Sequence, residues 1–423
     1  MKKYFTSVNR QKLIMIMVLV LCFFAFSSTV VFAALTLNST TISSDGALIL
    51  TSGTDAFRVS NLLNFDNSNS TIFLGYQAGN GSTDAMDQSV IIGYQAGFTG
   101  ADGGYNTFLG YQSGYADTTG STNTGVGLTT LRENTTGSEN STFGAQSLRN
   151  NTTGTRNTVM GAEAGYSNTI GTNNVAIGYK ALRLNTGLGG GQNGSYNTAV
   201  GSDALEDNTV GATNSAFGEF SLADNTTGTD NAGFGATAIR RNTTGIRNSG
   251  LGNASLGNNT TGNDNVGIGS GAGGGTAGSG DPYSNNVFIG AFSASIVTTG
   301  SNNIIIGYQA GNLLTTGANN IIIGYDIDAP SATGSNQLSI GNLIFGTGID
   351  GTGTTVSTGN IGIGTPSPTE MFDINSDNIR IRTAKTPASA GAACDQGEVA
   401  WDTSFVYVCV ATNTWKRAAI TTW

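Results

Sequence analysis

Residues 134–144 read NTTGSENSTFG, and residues 151–161 read NTTGTRNTVMG. Asn-Thr-Thr-Gly, two variable positions, an Asn and an apolar residue before Gly return after 17 residues. The Gly that closes this pattern recurs sixteen times between Gly75 and Gly341. Twelve of the fifteen intervals are 17 residues, and the others are 18, 23 and 21. Such a period over much of a chain marks a solenoid, in which each repeat stacks on the next. Gly, Asn and Thr are poor helix formers. The residue before the recurring Gly is Leu, Ile, Val, Phe or Met, and the residue two before that is often Thr, Ser, Val or Ile. That alternation predicts a short strand. The fold expected is all-β: a parallel β-solenoid of about 17 residues per coil, each coil holding roughly two short strands and two turns. At about 4.8 Å per coil the stack is about 75 Å long.

Stacked coils place like residues in columns. Four residues before the recurring Gly stands Asn in thirteen consecutive coils: Asn106, Asn123, Asn140, Asn157, Asn174, Asn197, Asn214, Asn231, Asn248, Asn265, Asn286, Asn303 and Asn320. Such a column predicts a structural amide ladder bonded from coil to coil. Seven residues before the recurring Gly stands another, as in Gly120, Gly137, Gly154, Gly228, Gly245 and Gly262. A positive-φ corner is the expected reason. Three residues after it the side chain is small (Ala78, Ala96, Ser113, Ala164, Ala181, Ala204, Ser221, Ala272, Ala310), which suits close approach by another strand or another chain. The 23- and 21-residue intervals insert LGGGQNGSY and GGGTAGSGDPY between these columns, where a turn is expected.

The chain has 423 residues, no His and a net charge of −9. The first twelve residues carry Lys2, Lys3, Arg10 and Lys12 and no acid, so the remainder is more acidic still. An acidic chain argues against a nucleic-acid partner. LIMIMVLVLCFFAF and then Val31-Phe32-Ala33 follow the basic start, the pattern of a signal peptide over 1–33 with Ala34 as the mature start. Export to the cell surface or medium is the expected localisation. Cys22 lies in that leader, which leaves Cys394 and Cys409 as one expected disulfide. The divisions expected are an N-terminal β cap (34–70), the repeat rod (71–345), a connector (346–378) and a small C-terminal β module (379–423). In the last, EVAWDT, FVYVCVA and TWKRAAI read as three strands.

NNVAIG (173–178), NTAVG (197–201) and NNIIIG (302–307 and 319–324) resemble the head repeats of trimeric autotransporter adhesins. That resemblance implies a left-handed β-roll, an intertwined homotrimer and an adhesive role towards a glycan or protein receptor on a host or neighbouring cell. The repeat here is longer than the family's, and the family's membrane barrel has no counterpart in this sequence. NIGIGTPSPTEMFDI (360–374) is similar to a connector of phage-tail-fibre-like and bacterial fibre proteins.

Chemistry-bearing residues are few. Without His there is no His base or His metal ligand. Asp326 and Asp328, two apart, would need a cleft to act as a carboxylate pair. Asp281 alone offers little charge for calcium. The sequence therefore predicts no enzyme, no cofactor, no metal and no small-molecule substrate. Trp401, Tyr407, Trp415 and Trp423 suit either stacking on sugar faces or the core of a small domain or trimer cap. Tyr76, Tyr94 and Tyr111 share one slot, as do Tyr308 and Tyr325; stacking for rod stability and a sticky surface are the two readings. Thr-Thr-Gly, at Thr118, Thr135, Thr152, Thr226, Thr243, Thr260, Thr298 and Thr315, opens an ice-binding alternative. A phage-tail-fibre-like receptor-binding fibre is another.

Overall fold

The structure is a computed structural model that describes residues 71–81, 88–99, 103–187, 193–275, 280–380 and 383–421. The expected leader, the N-terminal cap and Trp423 lie outside the described residues.

Sixteen three-residue strands, from Ile72–Leu74 to Leu338–Ile340, each pair in parallel with the next. The chain is thus a parallel β-solenoid with the 17-residue spacing of its sequence. Register follows the repeat: Val126 lies beside Phe143, and Phe143 beside Met160. Both insertions are absorbed between strands, since Val175 still pairs with Thr198 and Val266 with Val287.

Only one strand forms per coil, where two were expected. The remainder of each coil turns through left-handed backbone at non-Gly residues, such as Glu139 (φ 60°), Gln146 (φ 60°) and Leu148 (φ 49°). A strand cannot hold those dihedrals. They persist because neighbouring coils bond the turn on both sides: Gln146 N–H donates to Leu128 O, and Leu148 N–H to Ala164 O.

From the second strand of the stack onward, the middle residue enters the core and the two flanking residues face outward. Phe108, Val159, Ala176, Ala199, Phe288, Ile305 and Ile322 are all buried middle residues. A column that includes Leu131, Leu148, Leu182, Leu205, Leu222 and Leu256 packs against them. The small-residue column completes this interior: Ala96, Ser113, Ala164, Ala181, Ala204, Ser221, Ala272 and Ala310 are fully buried. It leaves room for the coil's own leucines rather than for another chain. The outward position is the apolar residue before the recurring Gly. Leu109, Phe143, Met160, Ile177, Phe217, Phe234 and Leu251 are 37–53% exposed and form one line along the strand face.

The two glycine columns have different reasons. Gly161 has φ +140°, and a Cβ on it would sit 2.2 Å from the carbonyl oxygen of Gly178. The same close approach repeats from Gly75 to Gly307, so this is where glycine's missing side chain lets the coils stack. The glycine seven residues earlier does not make the positive-φ corner expected of it. A Cβ on Gly154 would instead meet Asn151 Oδ1 and the Gly171 carbonyl, each at 2.4 Å. Glycine is needed there to leave room for an amide side chain.

Beyond the last parallel pair the same sheet runs on. Ile344–Gly346 and Ile361–Ile363 join antiparallel, and Phe372–Ile374 adds in parallel. At the C-terminal end Val399–Trp401, Phe405–Ala411 and Thr414–Ala419 form a separate antiparallel sheet. Its core is Cys394, Ala400, Tyr407, Cys409 and Trp415.

Candidate functional site

The asparagines at the fourth position before the recurring Gly are no more than 2% exposed. Each takes the place of a backbone extension. From Asn123 to Asn320 every such N–H donates to the Oδ1 of the Asn one coil back, at 2.8–3.1 Å. Ser89 Oγ accepts from Asn106 N–H at one end, and Gln337 N–H donates to Asn320 Oδ1 at the other.

A second asparagine ladder lies beside the first, built from the Asn that opens the Asn-Thr-Thr-Gly motif. Asn151 Nδ2 donates to Asn134 Oδ1, Asn168 to Asn151 and Asn185 to Asn168, each at 2.7 Å. The two ladders clamp the glycine between them. Gly154 O accepts from Asn140 Nδ2 at 2.9 Å and from Asn151 Nδ2 at 3.0 Å. The sequence reading gives this second Asn no role of its own. Its six-residue spacing from the other column was the available signal.

The first Thr of the motif is engaged as well. Thr135 Oγ1 donates to Thr152 O at 2.9 Å, and Thr152 Oγ1 to Thr169 O at 3.0 Å. Thr209, Thr226 and Thr243 repeat this bond. These hydroxyl protons point along the stack to carbonyls, so they do not form a free array that would order water. The ice-binding alternative loses its structural basis.

The tyrosine slots form stacks. Tyr76, Tyr94 and Tyr111 lie at centroid distances of 5.4 and 5.2 Å, and Tyr308 and Tyr325 at 5.4 Å. Each ring face covers the next ring, so chiefly the edges remain for a ligand. Asp328 accepts from the Leu313 N–H at 3.0 Å, and burial raises its pKa.

The four aromatic candidates of the C-terminal module do not form one surface. Tyr407 and Trp415 lie on the core face with rings edge to face at 6.5 Å. Trp401 pairs with Val406 on the opposite face, and Trp423 is outside the described residues. On the core face Thr386, Pro387, Ala388, Ser389, Ala390, Tyr407, Trp415 and Arg417 line a cavity of about 330 Å³. Tyr407 OH donates to Asp402 at 2.6 Å, which raises the tyrosine pKa and holds the carboxyl down to about 2. Thr386, Ser389 and Arg417 were not singled out by the sequence; the only signal was a basic pair, Lys416-Arg417, in an acidic chain.

Cys394 and Cys409 are bonded and tie the segment before this sheet to its middle strand. Closing a loop of sequence separation 15 restricts the unfolded chain by about 3 kcal/mol. Mild reduction is expected to melt the C-terminal module alone, read as loss of Trp fluorescence shift with unchanged strand circular dichroism. Loss of both signals together would show that the rod depends on the bridge.

Fold and site define a fibre-type β-solenoid protein. No protein-family model and no solved structure matches the chain. A stretch of 41 residues is 51% identical to part of "Depolymerase 1, capsule K30/K69-specific" of Klebsiella phage K5-2; it covers 10% of this chain and 5% of that protein. The comparisons support the phage-fibre likeness and give no support to the trimeric autotransporter one. They also correct the expectation of no enzyme. The matched protein is by name a capsule depolymerase, and glycoside hydrolysis can run on a pair of carboxyl groups without His.

Proposed function

We propose that this chain is a receptor-binding fibre that recognises a cell-surface polysaccharide, acts as a homotrimer and works outside the cell that makes it. The likeness to a capsule depolymerase carries the ligand class. The apolar line from Leu109 to Leu251 supports the trimer. Exposed apolar side chains recurring at one position in coil after coil are unusual on a lone soluble chain, and three copies about one axis would cover them. The leader-like segment 1–33 supports export. Three-fold display multiplies weak single contacts with a repetitive glycan.

Light scattering on the purified protein is expected to give three times the chain mass, and immobilised capsular polysaccharide is expected to retain it. A single-chain mass overturns the trimer. Passage through every polysaccharide column overturns the ligand class.

A further inference from the structure

We infer that the cavity on the core face of the C-terminal module is a subsite for a carboxylate-bearing sugar, with Arg417 as the group that reads the acid. The inference rests on the polysaccharide reading and names the sugar class within it.

Its walls are of two kinds. Pro387, Ala388 and Ala390 are apolar, and the buried Tyr407 and Trp415 close the inner end. Thr386, Ser389 and Arg417 supply polar groups. A pyranose has the same division, with apolar C–H faces and a polar rim. At about 330 Å³ the cavity sits at the small end of ligand sites and suits one sugar residue.

The charge at the cavity selects further. Lys385 is already paired, 3.6 Å from a Glu398 carboxylate oxygen. Asp402 is saturated: it accepts from Tyr407 OH at 2.6 Å, Thr386 Oγ1 at 3.1 Å and the N–H groups of Ser404 and Phe405 at 2.7 and 2.8 Å. Arg417 makes no ion pair with a carboxylate among the described residues; it lies opposite Tyr407, whose hydroxyl it hydrogen-bonds. Its guanidinium is stacked over Phe405, 4.1 Å from the ring centroid, which holds the planar fork without neutralising it. A stacked guanidinium that no carboxylate neutralises is suited to bidentate bonds with a carboxylate. A chain of net charge −9 otherwise repels acids, so this local exception points to an acidic ligand.

The test uses the full chain and ligand-observed NMR with glucuronate, galacturonate and N-acetylneuraminate against glucose, galactose and N-acetylglucosamine. At least one acidic sugar is expected to bind tenfold or more tightly than every neutral one. Arg417→Gln, at an exposed position, is expected to remove that preference and Arg417→Lys to restore part of it. Equal binding of acidic and neutral sugars, binding of none, or an unchanged preference in Arg417→Gln overturns the subsite. If polysaccharide columns still retain the protein in those cases, the fibre reading stands without this site; if they do not, both fall.

Discussion

Replacing Asn140 by leucine is expected to destabilise the rod by about 4 kcal/mol, whereas Thr136→Ala stays within roughly 0.5 kcal/mol. Asn140 is fully buried in the middle of its ladder. Its Oδ1 accepts both from the N–H of Asn157 at 3.1 Å and from its Nδ2 at 3.0 Å. Its Nδ2 donates to Asn123 Oδ1 at 3.1 Å and to Gly154 O at 2.9 Å. Leucine leaves the Asn157 N–H buried with no acceptor. It also takes one donor from Gly154 O, which keeps only Asn151. An unpaired buried backbone group costs about 1–3 kcal/mol, and the branched side chain must enter a space shaped for a planar amide. Thr136 carries no such bond; its side chain lies on the turn. Urea unfolding of the two variants decides the matter. Equal midpoints would mean that the ladder follows the stacking of the coils without stabilising it.

The second large effect concerns Asp117. This residue occupies the first position of the inner amide ladder, where the coils from Asn134 to Asn259 carry Asn. It is fully buried. Asn134 Nδ2 and the Gly120 N–H donate to its Oδ1 at 2.9 and 3.1 Å. Its partners are amide donors rather than cations, and burial pushes its pKa from 3.8 up to about 8. The folded chain therefore holds a proton that the unfolded chain releases above about pH 4. Stability is full below that pH and falls as pH rises towards 8. At 1.36 kcal/mol per pKa unit the loss has a ceiling of about 6 kcal/mol. Asp117→Asn is expected to remove this slope. The amide keeps the acceptor for Asn134 and Gly120 and carries no charge, so the variant gains most at pH 8 and little at pH 4. Unfolding curves at the two pH values check it. A wild type equally stable at both, or a variant no more stable at pH 8, would show that the carboxylate is solvated in the folded chain.

Neither residue's role was equally legible. The Asn140 column was visible as a spacing, because a stack of equal coils turns periodicity into contact. Asp117 is an acid within a column of mostly Asn that the sequence did not reveal as buried. Asn-Thr-Thr-Gly has the composition of an exposed turn, and only the stack shows that its Asn points inward while its Thr donates to the next coil. The C-terminal candidates divide in the same way. Strand alternation assigns Tyr407 and Cys409 to one face. Whether Trp401 shares that face depends on antiparallel register, which sets Ala400 opposite Tyr407 and Trp401 opposite Val406.

By itself the sequence determined the solenoid, its period, the parallel register and the position of the insertions. A repeat that returns every 17 residues with Gly at one fixed point can stack in only one register without placing a Cβ against a backbone carbonyl. The tertiary structure alone decided which side of each strand is inside. Three-residue strands flanked by left-handed turns are too short for their polarity pattern to declare a face. The middle strand residues, the small column and the leucine column share the interior, and the apolar residues before each recurring Gly lie on the outside. Likewise the cavity beside Arg417 depends on residues 386–390 folding back over the C-terminal sheet, a long-range contact with no periodic signal in the chain.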